Sequence, residues 1–117
     1  MKRHLLAAGL LTIATPALAE TPVLTVLTYD SFTSEWGPGP VIEKAFEATC
    51  ACDLRFVPAG DGAALLARIQ LEGKASDADV VLGLDTSLTA AAATTQLFAP
   101  HGQTTALNLP VAIADPQ

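Results

Sequence analysis

Three aspartates each stand directly after a short apolar segment, in the motifs Tyr29-Asp30-Ser31, Gly60-Asp61-Gly62 and Asp85-Thr86-Ser87. A carboxylate in such a position can hold a cation or accept hydrogen bonds, and flanking glycines let a ligand approach the backbone closely. Each aspartate also has a purely structural interpretation, as a turn residue for the first and as a helix N-cap for the other two. The pattern indicates a binding rim, but it does not separate ligand contact from capping.

Two aromatic residues, Tyr29 and Trp36, are the only tyrosine and the only tryptophan of the chain. Trp36 lies in the Gly- and Pro-rich segment Ser34–Pro40, which only a loop can accommodate. An aromatic ring in such a loop can cover a flat ligand or a cation. The alternative is that Trp36 packs over the edge of a sheet.

Catalysis and metal binding find little support in the residue types. His4 and His101 are the only histidines, and no serine stands in a Gly-x-Ser-x-Gly setting, so no nucleophilic triad can be assembled. Cys50-Ala51-Cys52 lacks the ligand count of a zinc site. The two cysteines either form a disulfide, although this spacing lies near the upper limit for one, or act as a redox-active thiol pair.

The net charge and the first residues of the chain limit its possible partners and its cellular location. The 117 residues carry a formal net charge of −6, which disfavours nucleic acid as a partner. Residues 1–19 combine a basic start, the apolar stretch Leu5–Ile13 and an Ala17-Leu18-Ala19 cleavage signal, and this is typical of a secretory signal peptide. The alternative is an N-terminal membrane anchor. We expect residues 20–117 to be exported without stable membrane insertion, because no other segment has the apolar length of a transmembrane helix.

Strand and helix patterns alternate along the remaining chain. Apolar β-branched runs predict three strands, and apolar residues at helical spacing predict three helices. The predicted elements are, in order, strand Val23–Tyr29, helix Val41–Thr49, strand Asp53–Pro58, a helix from Gly62 to a stop at Gly73, strand Ala78–Leu84, and helix Leu88–Gln96 capped by Thr86 or Ser87. This alternation predicts an α/β fold with an open, mainly parallel sheet and flanking helices. Ligands of such sheets bind at the carboxyl ends of the strands, where the three aspartates stand.

The helices are predicted to bury one apolar face each. In the first helix, Val41, Ile42, Ala45 and Phe46 share a face, whereas Glu43, Lys44 and Glu47 take the other. In the second helix, the apolar stripe consists of Leu65, Leu66 and Ile69.

Longer stretches of the sequence resemble a known family. The segments LTVLTYDSFTSEWGPGP (24–40), CACDLRFVPAGDGAALLARIQLEGKASDADVVLGLD (50–85) and LFAPHG (97–102) resemble the thiamine-binding proteins of bacterial ABC transporters, with the motifs in the same order. The resemblance implies a two-lobed type II periplasmic binding protein, of which residues 20–117 would supply only the first part of lobe 1. It also implies a periplasmic location, thiamine or its phosphates as transported ligand, no cofactor and no enzymatic activity, and a membrane permease with its ATPase as partners.

The same resemblance assigns candidate ligand-binding residues. Asp61 and Gly62 match positions that contact the ligand in the family, and Tyr29 and Trp36 match aromatic walls of the binding site. Asp30, Ser31 and Asp85 complete the candidate rim. The sequence departs from the family at Thr86-Ser87, where relatives tend to have amides, and at Leu27, which replaces an aromatic residue.

Three other interpretations remain open at this point. A type II binding protein could instead take a polyamine or ferric iron, neither of which needs the aromatic residues. A small exported oxidoreductase could use Cys50 and Cys52. Finally, residues 20–117 alone could be nonfunctional, because a partial lobe would expose apolar strand edges.

Overall fold

The computed structural model describes residues 20–103, so the predicted signal peptide of residues 1–19 and the segment 104–117 lie outside the described residues. Within this part the predicted strands and helices occur in the predicted order, with one additional short helix after the first strand. The prediction that residues 34–40 form only a loop was wrong at its end, because Gly39 and Pro40 already belong to the following helix. The strands are β1 (Val23–Thr28), β2 (Asp53–Pro58) and β3 (Val80–Leu82), and the helices are α1 (Asp30–Thr33), α2 (Gly39–Cys50), α3 (Gly62–Glu72) and α4 (Thr89–Thr94), with a 3-10 turn at Gly73–Ala75.

The three strands form one parallel sheet in the order β2-β1-β3. Val23 of β1 pairs with Asp53 at the start of β2, and Val26 pairs with Val80 at the start of β3. Because the strands are parallel, α2 and α3 serve as the crossover connections. The predicted open parallel sheet with flanking helices is therefore confirmed, and the three strands end at the same edge.

Helix α3 and one face of the sheet form the best-packed core. Leu27, Leu65 and Ile69 are buried together, and partly buried apolar residues from β2, β3 and the segment after α4 surround them. Asp61 caps the start of α3, since its Oδ1 accepts a hydrogen bond from Ala64 N at 2.8 Å. Gly73 ends the helix with a φ of 56°. The boundaries and the apolar stripe predicted for this helix are confirmed.

Helix α2 packs less completely on the opposite face. Ile42 and Phe46 line an apolar groove over this face but remain about two-fifths exposed, and Val41 is 73% exposed. The predicted assignment of Glu47 to the solvent face was wrong. Its Oε1 accepts a hydrogen bond from Leu54 N at 2.9 Å, so the side chain serves the outer edge of β2.

The third strand and the last helix are shorter than predicted. β3 contains only three residues, and Gly83, with a φ of 117°, already lies outside it. The prediction that Thr86 or Ser87 caps α4 was wrong, because Leu88 occupies the N-cap without a side-chain hydrogen bond. The turn before α4 is held instead by Asp85, whose carbonyl oxygen accepts from Leu88 N at 3.0 Å.

Within residues 20–103, no helix has the length and apolar character needed to cross a bilayer.

Substitution of Leu65 tests how much the packing of α3 on the sheet contributes to the free energy of unfolding. Leu65 is fully buried, whereas Leu71 on the same helix is 88% exposed. We expect Leu65→Ala to lower the free energy of unfolding by about 2–5 kcal/mol, because it leaves a cavity in the core. The matched control Leu71→Ala should change it by about 0.5 kcal/mol or less. Urea unfolding followed by circular dichroism measures both, and equal effects would contradict the packing described.

Candidate ligand-binding site

The loops after β1 and β2 are tied together by two reciprocal hydrogen bonds. Asp30 N donates to Gly60 O at 2.8 Å, and Gly60 N donates to Asp30 Oδ1, also at 2.8 Å. One residue earlier, Ala59 N donates to Thr28 O at 2.9 Å. These bonds extend the pairing of the two strands beyond their ends, so that the predicted neighbours Asp30 and Asp61 are held in adjoining loops.

The end of β3 closes against both of these loops. A Cβ atom added to Gly62 would lie 3.0 Å from Gly83 O, so the start of α3 approaches the end of β3 backbone to backbone. On Gly83 itself, a Cβ would overlap Cδ1 of Tyr29 and lie 3.1 Å from its Cε1. The structure thus brings together Tyr29, Gly62 and Gly83, one residue from the loop after each strand.

Asp61 is the N-cap of α3, and ligand contact, the other interpretation of its motif, stays a prediction. Its Oδ1 accepts the capping hydrogen bond from Ala64 N, and the residue is exposed at the edge of the sheet. A carboxylate has two oxygens and about four lone-pair sites, so capping through one oxygen leaves acceptor capacity on the other. The cap also fixes the direction of the side chain, which a cation-binding carboxylate requires.

Asp30 and Ser31 open the short helix α1. The Asp30 carboxylate is engaged with Gly60 N, which makes this side chain a tether between loops. Ser31 is exposed, and its carbonyl oxygen accepts a hydrogen bond from Ser34 Oγ at 2.8 Å. Both residues lie at the predicted rim. The Asp30 carboxylate bonds to the loop after β2, so the local-turn interpretation does not describe its side chain.

Asp85 forms a compact turn with Ser87. Its Oδ1 accepts hydrogen bonds from both Ser87 N and Ser87 Oγ. These bonds, the side-chain one first, lower the pKa of the Asp85 carboxyl below its usual value of 3.8. Asp85 is exposed and therefore adds a fixed negative charge to the third loop at neutral pH.

The two aromatic candidates differ in their surroundings. Tyr29 is half-buried, and its ring makes an edge contact with Phe32 at a centroid distance of 5.6 Å. Trp36 is 81% exposed on the loop before α2, so it does not pack over the sheet edge within the described part of the chain. An indole ring so exposed is free to cover a ligand at the rim.

The charge of the rim is uniformly negative. The loops 29–38, 59–61 and 83–88 contain Asp30, Glu35, Asp61 and Asp85 but no lysine or arginine. Arg55 and Arg68 lie elsewhere, in ion pairs with Asp53 and Glu72. A rim of this kind attracts cations and repels free anions.

The cysteines lie at the opposite end of the sheet. Cys50 and Cys52 form a disulfide, with Cα atoms 5.2 Å apart, across Ala51 between the end of α2 and the start of β2. The pairing that the spacing left open is therefore present, and it is remote from the strand ends that form the rim. Among residues 20–103, no group of three metal-ligating side chains comes together.

Gly83 is the rim residue that sequence reasoning missed. It was assigned to the interior of the third strand, although a glycine within a strand pattern is a known sign of close backbone approach. That signal was present in the segment Val-Leu-Gly-Leu, and the structure shows what approaches: the ring of Tyr29.

Removing the Ser87 hydroxyl should raise the pKa of Asp85. The pKa is lowered in the folded chain, so the carboxylate is held charged and the turn loses this support only as pH falls through the lowered value. We expect Ser87→Ala to move the pKa towards 3.8 while the Ser87 N bond keeps it below that value. A carboxyl-detected NMR titration measures the shift. Thr86→Ala is the control and should leave the pKa unchanged, and a shift equal to that of Ser87→Ala would contradict the assigned cause.

Comparison with known proteins gives a consistent picture. No family profile matches the chain. The chain is 59% identical over 93 residues to the thiamine-binding periplasmic protein of Salmonella typhimurium and 55% identical over 102 residues to that of Escherichia coli. The match to the corresponding protein of Haemophilus influenzae reaches 43% over 112 residues. These alignments cover 80%, 86% and 94% of this chain, but only 28%, 31% and 33% of the relatives.

The fold agrees with the sequence match. A solved structure of a periplasmic thiamin binding protein superposes with a TM-score of 0.69 at 55% sequence identity, covering 78% of this chain and 29% of that structure. The chain thus spans about 30% of the length of the proteins it matches. In sequence and in fold, the chain is similar to one part of these periplasmic thiamine-binding proteins.

Proposed function

We propose that this chain contributes one wall of a thiamine-binding site in a periplasmic solute-binding protein and has no enzymatic role. The observation that carries the proposal is the acidic rim at the carboxyl edge of the sheet, in a chain 59% identical to a thiamine-binding periplasmic protein. The proposed contacts are Tyr29, Asp30, Ser31, Trp36, Asp61, Gly62 and Asp85. The alternative ligands, a polyamine or ferric iron, and the thiol oxidoreductase gain no support from the comparisons.

The chemistry of thiamine fits a rim with carboxylates and an exposed indole. The thiazolium ring carries a permanent positive charge, and its energy with a carboxylate about 4 Å away, at an effective dielectric near 20, is about −4 kcal/mol before desolvation. Asp61 is suited to this contact because its cap fixes the carboxylate in place. Trp36, exposed on the loop before α2, can cover the flat cation.

The proposal also includes a cellular setting. Residues 1–19 are proposed to direct export and to be removed, which leaves residues 20–117 in the periplasm as the first part of lobe 1. The Cys50–Cys52 disulfide supports an oxidising compartment, where such bonds persist. Delivery of the ligand to an ABC permease and its ATPase is the partner role that this setting implies.

Neutralising Asp61 separates its charge from its capping role. Asparagine caps a helix about as well as aspartate, so Asp61→Asn should leave unfolding nearly unchanged while lowering thiamine affinity about tenfold or more. Asp77→Asn removes the same charge from an exposed site outside the rim loops and serves as the matched control. Thiamine titration of the exported chain, followed by the fluorescence of its single tryptophan, measures affinity. Equal affinity in the two variants would contradict the assignment of Asp61.

The role of the indole ring is tested separately by calorimetry. We expect Trp36→Ala to weaken thiamine binding about two- to thirtyfold, the range of one cation–π contact, with no loss of stability because the side chain is 81% exposed.

Putrescine and ferric citrate, titrated into the unaltered chain, distinguish the alternative ligands. Tighter binding of either than of thiamine would overturn the proposed function.

A further inference from the structure

Gly83 stands where a side chain cannot be placed. Its φ of 117° is a conformation that L-residues rarely adopt, and it follows the last residue of β3 directly. A Cβ at this position would overlap Cδ1 of Tyr29, with Cε1 at 3.1 Å and Cγ at 3.5 Å. One ring atom therefore occupies the space that a Cβ at 83 would need, and a second lies closer than an ordinary van der Waals contact.

The Tyr29 ring has little freedom to move away from Gly83. Its backbone follows the last residue of β1, the central strand, and the adjoining Asp30 is hydrogen-bonded to Gly60. The ring also contacts Phe32, which is buried and packs in turn on Phe56 at a centroid distance of 5.0 Å. Gly83 and Phe32 thus confine the ring, and a group added at 83 must tilt it out of its place in the rim.

We propose that Gly83 is a positioning residue for ligand binding: its missing side chain lets the Tyr29 ring pack on the end of β3, which presents the ring to thiamine as a fixed wall. This inference rests on the proposed function for the identity of the ligand only. The placement of the ring by Gly83 is a property of the free chain. An experiment can therefore contradict this placement or the contact with thiamine independently of the other.

The placement of the Tyr29 ring is tested without ligand by 19F NMR after labelling with 3-fluorotyrosine. Because the chain has one tyrosine, the resonance reports on Tyr29 alone. We expect Gly83→Ala to shift or broaden the Tyr29 resonance. Gly73→Ala is the control, because Gly73 also has a positive φ, of 56°, but a Cβ there would meet nothing within 4 Å. It should leave the resonance unchanged. An unchanged resonance in Gly83→Ala, or the same change in both variants, overturns the inference.

The effect on binding is tested by a double-mutant cycle with thiamine. We expect Gly83→Ala to lower affinity about tenfold, and to cause no further loss when Tyr29→Ala is already present, because its effect passes through the ring. Equal losses in both backgrounds overturn the inference. If Gly83→Ala alone fails to fold, folding of the Tyr29→Ala/Gly83→Ala chain supports the ring contact, and failure of both chains contradicts it. Absence of thiamine binding by the unaltered chain would count against the proposed function, while the 19F result stands by itself.

Discussion

The parallel pairing of β1 with a strand on each side is the constraint from which the rest of the structure follows. A central strand paired in this way forces both connections to cross over the sheet, and α2 and α3 are these connections. It also places the loops that follow the three strands at the same end of the sheet. The hydrogen bonds between Asp30 and Gly60 continue the strand pairing into the loops, so this edge is held by the same kind of backbone bonding as the sheet.

The structural roles of three aspartates at this edge are compatible with the binding roles proposed for them. Asp61 caps α3, Asp30 joins two loops and Asp85 closes a turn, and each does so with a carboxylate oxygen. A carboxylate already held by backbone N–H groups has lost its rotational freedom before any ligand arrives. Ligand binding at the proposed site would then avoid much of the entropy cost of ordering side chains. The sequence leaves open whether these aspartates have a structural role or contact a ligand. The geometry allows one carboxylate to do both.

Local signals were enough to predict β2 and α3, but not the surroundings of α2. Strand β2 begins at Asp53 and ends at Pro58 as predicted, and α3 is bounded by the Asp61 cap and by Gly73. These limits are set by residues within a few positions of each other. Burial of Val41 and Phe46 depends on what lies against α2, which helical periodicity does not encode. At Gly83 the local pattern indicated a close approach but not its partner, because Tyr29 lies 54 positions earlier in the chain.

The contact between Glu47 and Leu54 makes the two edge strands of the sheet different. On the outer side of β2, the Leu54 amide is already occupied by a carboxylate, and a negative charge sits where a further strand would have to pair. The other border is formed by β3, whose Val80 and Leu82 side chains are 45% and 38% exposed on the faces of the sheet. Within residues 20–103 the two borders therefore differ in charge: a carboxylate bonded to the backbone opposes the pairing of a further strand with β2, whereas β3 presents apolar side chains beside its border.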